Sequence, residues 1–228
     1  MVRVLVVEDE ANIRDMIALN LRHAGMEVVE AESAEAALPL LAQKPGCDAA
    51  ILDVMLPGID GFEVCRRLRA IAGLEELCLT TNGSLLRELA APLREAGVDR
   101  LNISLDTLRP ERFAQMTRRG RLSDALEGIA AAEAAGFRDL KFDTVLIGGF
   151  NDDEISDFIA LTREHAWEVR FIELMPMRPC ADWDKSCFLS GEIVLASEPA
   201  LQSVESQGVA RRYQLPGALG TVGLISPV

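Results

Sequence analysis

The sequence predicts an α/β protein built from parallel βα units, and three observations carry that expectation. Short β-branched or apolar runs, such as RVLVV (3–7), DAAILDV (48–54) and LCLTT (77–81), each stop at acidic, polar or Pro/Gly residues. Segments with apolar residues at helical spacing lie between them. Strand-like and helix-like segments alternate with no Ser/Gly linker, the rhythm of a parallel sheet wrapped by helices.

In chain order, RVLVV is a buried strand, and Ile13, Ile17 and Leu21 form one face of a helix that stops at Gly25. A strand at Glu27–Glu30 and an Ala-rich helix from Ser33 to Leu41 follow. After the strand in 48–54, Pro57–Gly58 closes the unit, and a helix from Gly61 carries Phe62, Val64, Cys65 and Leu68. The alternation then runs Leu77–Thr81 (strand), Leu85–Ala96 (helix), Arg100–Leu105 (strand), Pro110–Thr117 and Ser123–Ala135 (helices). It continues with Leu140–Leu146 (strand), Asp153–His165 (helix) and Glu168–Leu174 (strand). Beyond Pro176 the pattern weakens, with strand candidates at Val209–Leu215 and Thr221–Ile225.

The 228 residues include 23 Lys+Arg against 36 Asp+Glu, a formal net charge of −13. Such an acidic balance argues against a sequence-independent nucleic-acid binder, which needs a basic face to release counterions. No apolar run approaches the ~20 residues of a membrane span, and acid follows directly on the N-terminal apolar stretch. The expected protein is cytoplasmic, with no membrane or nucleic-acid partner. Its five cysteines (Cys47, Cys65, Cys78, Cys180, Cys187) are scattered and form no CxxC, so they are expected as reduced thiols, mostly buried as small apolar groups.

Ligands of parallel α/β sheets sit outside the carboxyl ends of the strands. Glu8 and Asp9 end the first strand and Asp53 the third, so adjacent strands would bring three carboxylates together, a donor set suited to Mg²⁺. On spacing alone, simple solvation of acids at strand ends explains them as well. The phrases VLVVEDE and LDVMLPGIDGFEVCRRLR closely resemble the receiver domain of two-component response regulators of the OmpR/PhoB type, over residues 1–72. The resemblance implies that Asp53 accepts a phosphoryl group, that Glu8, Asp9 and Asp53 hold Mg²⁺, and that a sensor kinase or acyl phosphate is the phosphodonor. It also implies a phosphate-contacting hydroxyl at Thr80. Where the family has a Lys, this chain has Ser104, which supplies no cation for a phosphate.

From residue 74 the wording changes. LTTNGSLL (79–86), DRLNISLDTL (99–108), KFDTVLIGGFNDDEI (141–155), VRFIELMPM (169–177) and YQLPGALGTVGLISPV (213–228) resemble, in order, the radical-SAM GTP 3′,8-cyclase of molybdenum-cofactor biosynthesis. That resemblance implies GTP contacts at Thr80 and Lys141 and S-adenosylmethionine contacts at Ser104 and Met175. Read without it, Ser104 is a strand-end hydroxyl, Met175 a core residue and Lys141 a solvated charge. The family's CxxxCxxC and GGEP phrases are absent, and the sequence ends at Val228, before the three cysteines of the family's second cluster.

The two resemblances together predict a flavodoxin-like receiver half (1–73) merged with a partial TIM-type barrel half (74–228) in one folded unit. The expected function is that of an engineered or recombined chimera that is not an enzyme. It would have no catalytic residues and no iron–sulfur cluster, and would retain at most the receiver's Mg²⁺ and phosphoacceptor site. The alternative is a natural phosphorelay regulator whose receiver is joined to a degenerate nucleotide-binding barrel. The merged sheet is expected in the strand order 2-1-3-4-5-6-7, with Ile17, Leu19 and Leu21 buried and segment 206–228 covering its open edge.

Overall fold

The computed structural model describes residues 2–41, 47–52, 61–70, 75–118, 120–175, 183–206 and 210–226. They are α/β, and they divide into two compact units, 1–77 with 95–98 and 78–94 with 99–228.

The first unit holds β1 (Arg3–Val7), α1 (Ala11–His23), β2 (Glu27–Ala31), α2 (Ala34–Leu41), β3 (Ala49–Leu52) and α3 (Gly61–Arg69). The three strands are parallel in the order β2-β1-β3. Central β1 is buried from Val4 to Val7, as its continuous β-branched run requires. Leu5 and Val7 pack in one cluster with Ala34 and Ala37 of α2 and Val64 and Leu68 of α3. Helix α1 turns Ala18 fully inward, with Arg14, Ile17 and Leu21 half-buried on the same stripe. Leu19, expected in the core, is 53% exposed because it lies off that stripe.

The second unit contains β4 (Cys78–Thr81), α4 (Leu86–Glu95), β5 (Arg100–Ser104), α5 (Pro110–Thr117), α6 (Leu122–Ala134) and β6 (Lys141–Leu146). It continues with α7 (Ile155–Glu164), β7 (Glu168–Glu173), α8 (Glu192–Ser197), β8 (Gln202–Ser203), β9 (Arg211–Gln214) and β10 (Thr221–Ile225). The sheet order is β4-β5-β6-β7-β10-β9-β8. All pairs are parallel from β4 through β10; β9 and β8 then add antiparallel strands. Both weak C-terminal strand candidates are therefore real, and β10 extends the sheet at β7.

Alternation gives this sheet two different faces. Leu101, Ile103, Phe142, Phe171, Val169, Val222 and Leu224 are buried, and the register aligns them strand to strand. The intervening positions are half-buried and polar except for Val145, reading iBiBi in β5 and iBiBiB in β6.

Two expectations are corrected here. Strands β3 and β4 lie in different sheets, so the single seven-strand order is not formed. A sheet continues across such a seam only if the twist and stagger of the two edge strands match. The described cysteines are not buried: Cys47, Cys65 and Cys187 are half-buried and Cys78 is exposed. Cys78 opens an edge strand, where its Sγ accepts from Arg100 Nη2 at 3.0 Å.

Candidate functional site

The polar face of the seven-stranded sheet carries two charged rungs. In the first, the register aligns Thr80 with Asn102, Asn102 with Lys141, Lys141 with Glu168, and Glu168 with Thr221. Glu168 is buried, and its Oε2 lies 3.6 Å from both Lys141 Nζ and Arg212 Nε. Arg212 also donates to Thr221 Oγ1 at 3.1 Å. One carboxylate thus holds two cations in the sheet face, and Oδ1 of Asn102 is buried there with no hydrogen-bond partner among the described residues.

The second rung is two residues nearer the carboxyl ends of the strands: Ser104, Asp143, Arg170, Gly223 and Arg212. Arg170 donates from Nε and Nη2 to Asp143 Oδ1 and Oδ2, each at 2.7 Å, a planar fork on a carboxylate. Beyond β5, Asp106 accepts from the Val145 backbone N–H at 2.8 Å. Burial pushes the Asp106 carboxyl up, the Val145 N–H opposes this, and the charge of Asp143 adds to the rise. Asn151 stitches the same ends together, donating to the carbonyls of Asp106 and Val145 at 2.8 Å each.

Of the predicted nucleotide and S-adenosylmethionine contacts, Thr80 and Lys141 share the first rung, and Ser104 stands at the end of β5 on the second. Met175 lies just past β7 and is 41% exposed, so it is no core residue. Glu168, Asp143, Arg170 and Arg212 were missed because a charged residue in a strand reads as solvated. Their signal was the alternation in KFDTVL and EVRFIE, which puts Lys141 and Asp143, then Glu168 and Arg170, on one face.

In the first unit, β1 and β3 are neighbours, as convergence of the carboxylates requires. Glu8 is buried at the end of β1, where its Oε1 accepts from the Glu10 N–H at 3.1 Å, and Asp9 is exposed. Arg14 donates to the carbonyls of Glu8 and Asp9, at 2.5 and 3.5 Å. Asp53, next after Leu52, lies outside the described residues. Thr80 belongs to the seven-stranded sheet, beside β5, and not to the sheet of Glu8 and Asp9.

The Response regulator receiver domain family matches residues 4–100, and the Radical SAM superfamily matches residues 54–162. The N-terminal part is thus similar to a receiver domain and the following part to a radical SAM domain, the two matches overlapping over residues 54–100. It is 50% identical over 167 residues to a GTP 3′,8-cyclase of Peptoclostridium acidaminophilum, covering 72% of this chain and 51% of that protein. It is 44% identical over 168 residues to the GTP 3′,8-cyclase of Alkaliphilus oremlandii, covering 73% of this chain and 52% of that protein. The chain therefore spans about half the length of these curated relatives. Similar solved structures include the response regulator TrrA of Thermotoga maritima, with 27% identity, coverage of 52% and 98%, and a TM-score of 0.36. The chemotaxis protein CheY4 of Vibrio cholerae gives 28% identity, the same coverage and a TM-score of 0.38.

The expectation that the chain is not an enzyme is overturned by these relatives: proteins sharing 44–50% of the aligned residues are named GTP 3′,8-cyclase, an enzyme. That expectation rested on the absent cluster-thiolate and GGEP phrases. The relatives' family implies an iron–sulfur cluster and S-adenosylmethionine. Among the described residues no three His, Cys, Asp or Glu side chains are grouped to hold a metal, and Cys180 lies outside them. The described thiols therefore do not fit a cluster, which needs several convergent thiolates. No helix among the described residues is long and apolar enough to cross a membrane.

Proposed function

We propose that the polar face of the seven-stranded sheet binds GTP as the substrate-holding part of a GTP 3′,8-cyclase-type enzyme. The alignment of Thr80, Asn102, Lys141 and Glu168 on one rung, from exposed Thr80 through half-buried Asn102 and Lys141 to buried Glu168, carries this reading. Lys141 supplies a point charge for a phosphate, Thr80 supplies a hydroxyl, and Glu168 keeps the ammonium in place until the anion arrives. Ser104 and Met175, at the carboxyl ends of β5 and β7, would contact S-adenosylmethionine.

The chain is on this reading a recombination product, with residues 1–73 from a receiver and 74–228 from the cyclase. In the receiver part, Glu8, Asp9 and Asp53 hold Mg²⁺, and Asp53 takes a phosphoryl group from a sensor kinase or an acyl phosphate. The receiver match over residues 4–100 and the pairing of β1 with β3 support this second site.

Titration calorimetry with GTP tests the first site. Micromolar-range binding that weakens about tenfold in Lys141→Ala, the loss of one charge-assisted contact, is the expected result. An affinity unchanged by Lys141→Ala, or no GTP binding, contradicts it. Intact mass after Mg²⁺ and acyl phosphate tests the second site, with phosphoryl labelling expected in the parent and none in Asp53→Asn. Labelling that survives Asp53→Asn contradicts the assignment.

A further inference from the structure

We propose that Asp143 is an exchangeable counter-ion for Arg170, and that an oxyanion of a bound nucleotide displaces its carboxylate from the guanidinium. This rests on the reading of the sheet face as a GTP site. The fork between Arg170 and Asp143 uses two hydrogen bonds of 2.7 Å, and a phosphate presents the same pair of oxygens to a guanidinium as a carboxylate does. The pair lies on the same face as Lys141 and nearer the carboxyl ends of the strands, where ligands enter parallel α/β sheets. Both side chains keep some exposure, 15% for Arg170 and 19% for Asp143, so a ligand oxygen can reach the fork.

Charge arithmetic on this face explains why such exchange is needed. Lys141, Arg170 and Arg212 are offset by Asp143 and Glu168, so the free face holds its cations ordered without a large unbalanced field. Gly223 gives the arrangement its room. A methyl group there would lie 3.0 Å from Arg170 Cγ and 3.3 Å from Ala210 Cβ, so the bare glycine lets the arginine stem run across the sheet toward β6. Asp106 adds a second carboxyl group near Asp143, close enough for the charge of Asp143 to act on it. The exchange therefore also restrains binding: the ligand must outcompete an existing partner.

Calorimetric titration of the full chain with GTP and with inorganic triphosphate, at two salt concentrations, tests the exchange. Asp143→Asn keeps the shape and removes the competing charge. It is expected to bind both ligands about tenfold tighter at low salt, with a steeper salt dependence, and to leave binding of uncharged guanosine unchanged. The gain should vanish in the double variant Asp143→Asn/Arg170→Gln, and Asp143→Glu, which keeps the charge, should stay near the parent. A structural role for Asp143 would instead weaken binding and leave the salt dependence as it was. Equal or weaker binding by Asp143→Asn, or a gain that persists without Arg170, overturns the proposal. If Lys141→Ala weakens GTP binding while Asp143→Asn does not tighten it, the exchange fails and the GTP site stands. If neither the parent nor Asp143→Asn binds GTP or triphosphate, both fail.

Discussion

Thr107 donates its hydroxyl hydrogen to Glu154 Oε1 at 2.7 Å, a bond between two fully buried side chains 47 residues apart in sequence. Glu154 also accepts from the Leu108 N–H at 2.6 Å and from Arg112 Nη1 at 2.6 Å. The loop after β5 is thereby tied to the start of α7. Removing one partner leaves the others buried with unmet demand, which costs more than the bond contributes. Thr107→Val, similar in shape and lacking the donor, should lower stability by about 1–3 kcal/mol in denaturant melts. A midpoint within error of the parent would show that the tie is dispensable.

Close approach of backbone explains a glycine in the middle of α6. A methyl group at Gly128 would stand 2.1 Å from the carbonyl oxygen of Gly83 and 3.0 Å from Leu86 Cβ. Alanine raises helix propensity elsewhere, but here it forces α6 away from the turn that follows β4. Gly128→Ala is expected to destabilise the protein by about 1–3 kcal/mol, the cost of overpacking. Thermal melts that show equal or greater stability would contradict this packing.

Asp106 makes stability depend on pH in a definite direction. Its carboxyl is raised by burial, with the Asp143 charge adding, so the native state holds this proton at pH values where the unfolded chain has lost it. Its contribution to stability is therefore greatest below the unfolded value of 3.8, falls as pH rises through the window between the unfolded and folded values, and is lost above the folded one. Asp106→Asn, which can still accept from the Val145 N–H, should gain stability relative to the parent as pH rises above about 4. Denaturant melts between pH 3.5 and 7 measure this, and a difference independent of pH would contradict it.

Much of the fold is legible in the sequence because β-branched runs and helical stripes are local signals. The expected strand Leu140–Leu146 begins one residue before β6 and ends with it, and the expected Thr221–Ile225 is the whole of β10. The seam is not legible: whether β3 pairs with β4 depends on twist and stagger summed over two sheets, which no local pattern around Leu52 or Cys78 encodes. In α1, the spacing of Ile17 and Leu21 locates the inward stripe, but Ala18 rather than Leu19 is its most buried member. In the site, Lys141 and Ser104 are found through family phrases. Asp143 and Arg170 become visible only when the register sets them side by side.

Photo-crosslinking with 8-azido-GTP, mapped by peptide mass spectrometry, tests most directly whether the polar sheet face holds the nucleotide. The account predicts adducts confined to β4–β7 and β9–β10, competed by GTP and reduced in Lys141→Ala. Adducts confined to the helices on the outside of the sheet, or labelling that GTP does not compete, would contradict it.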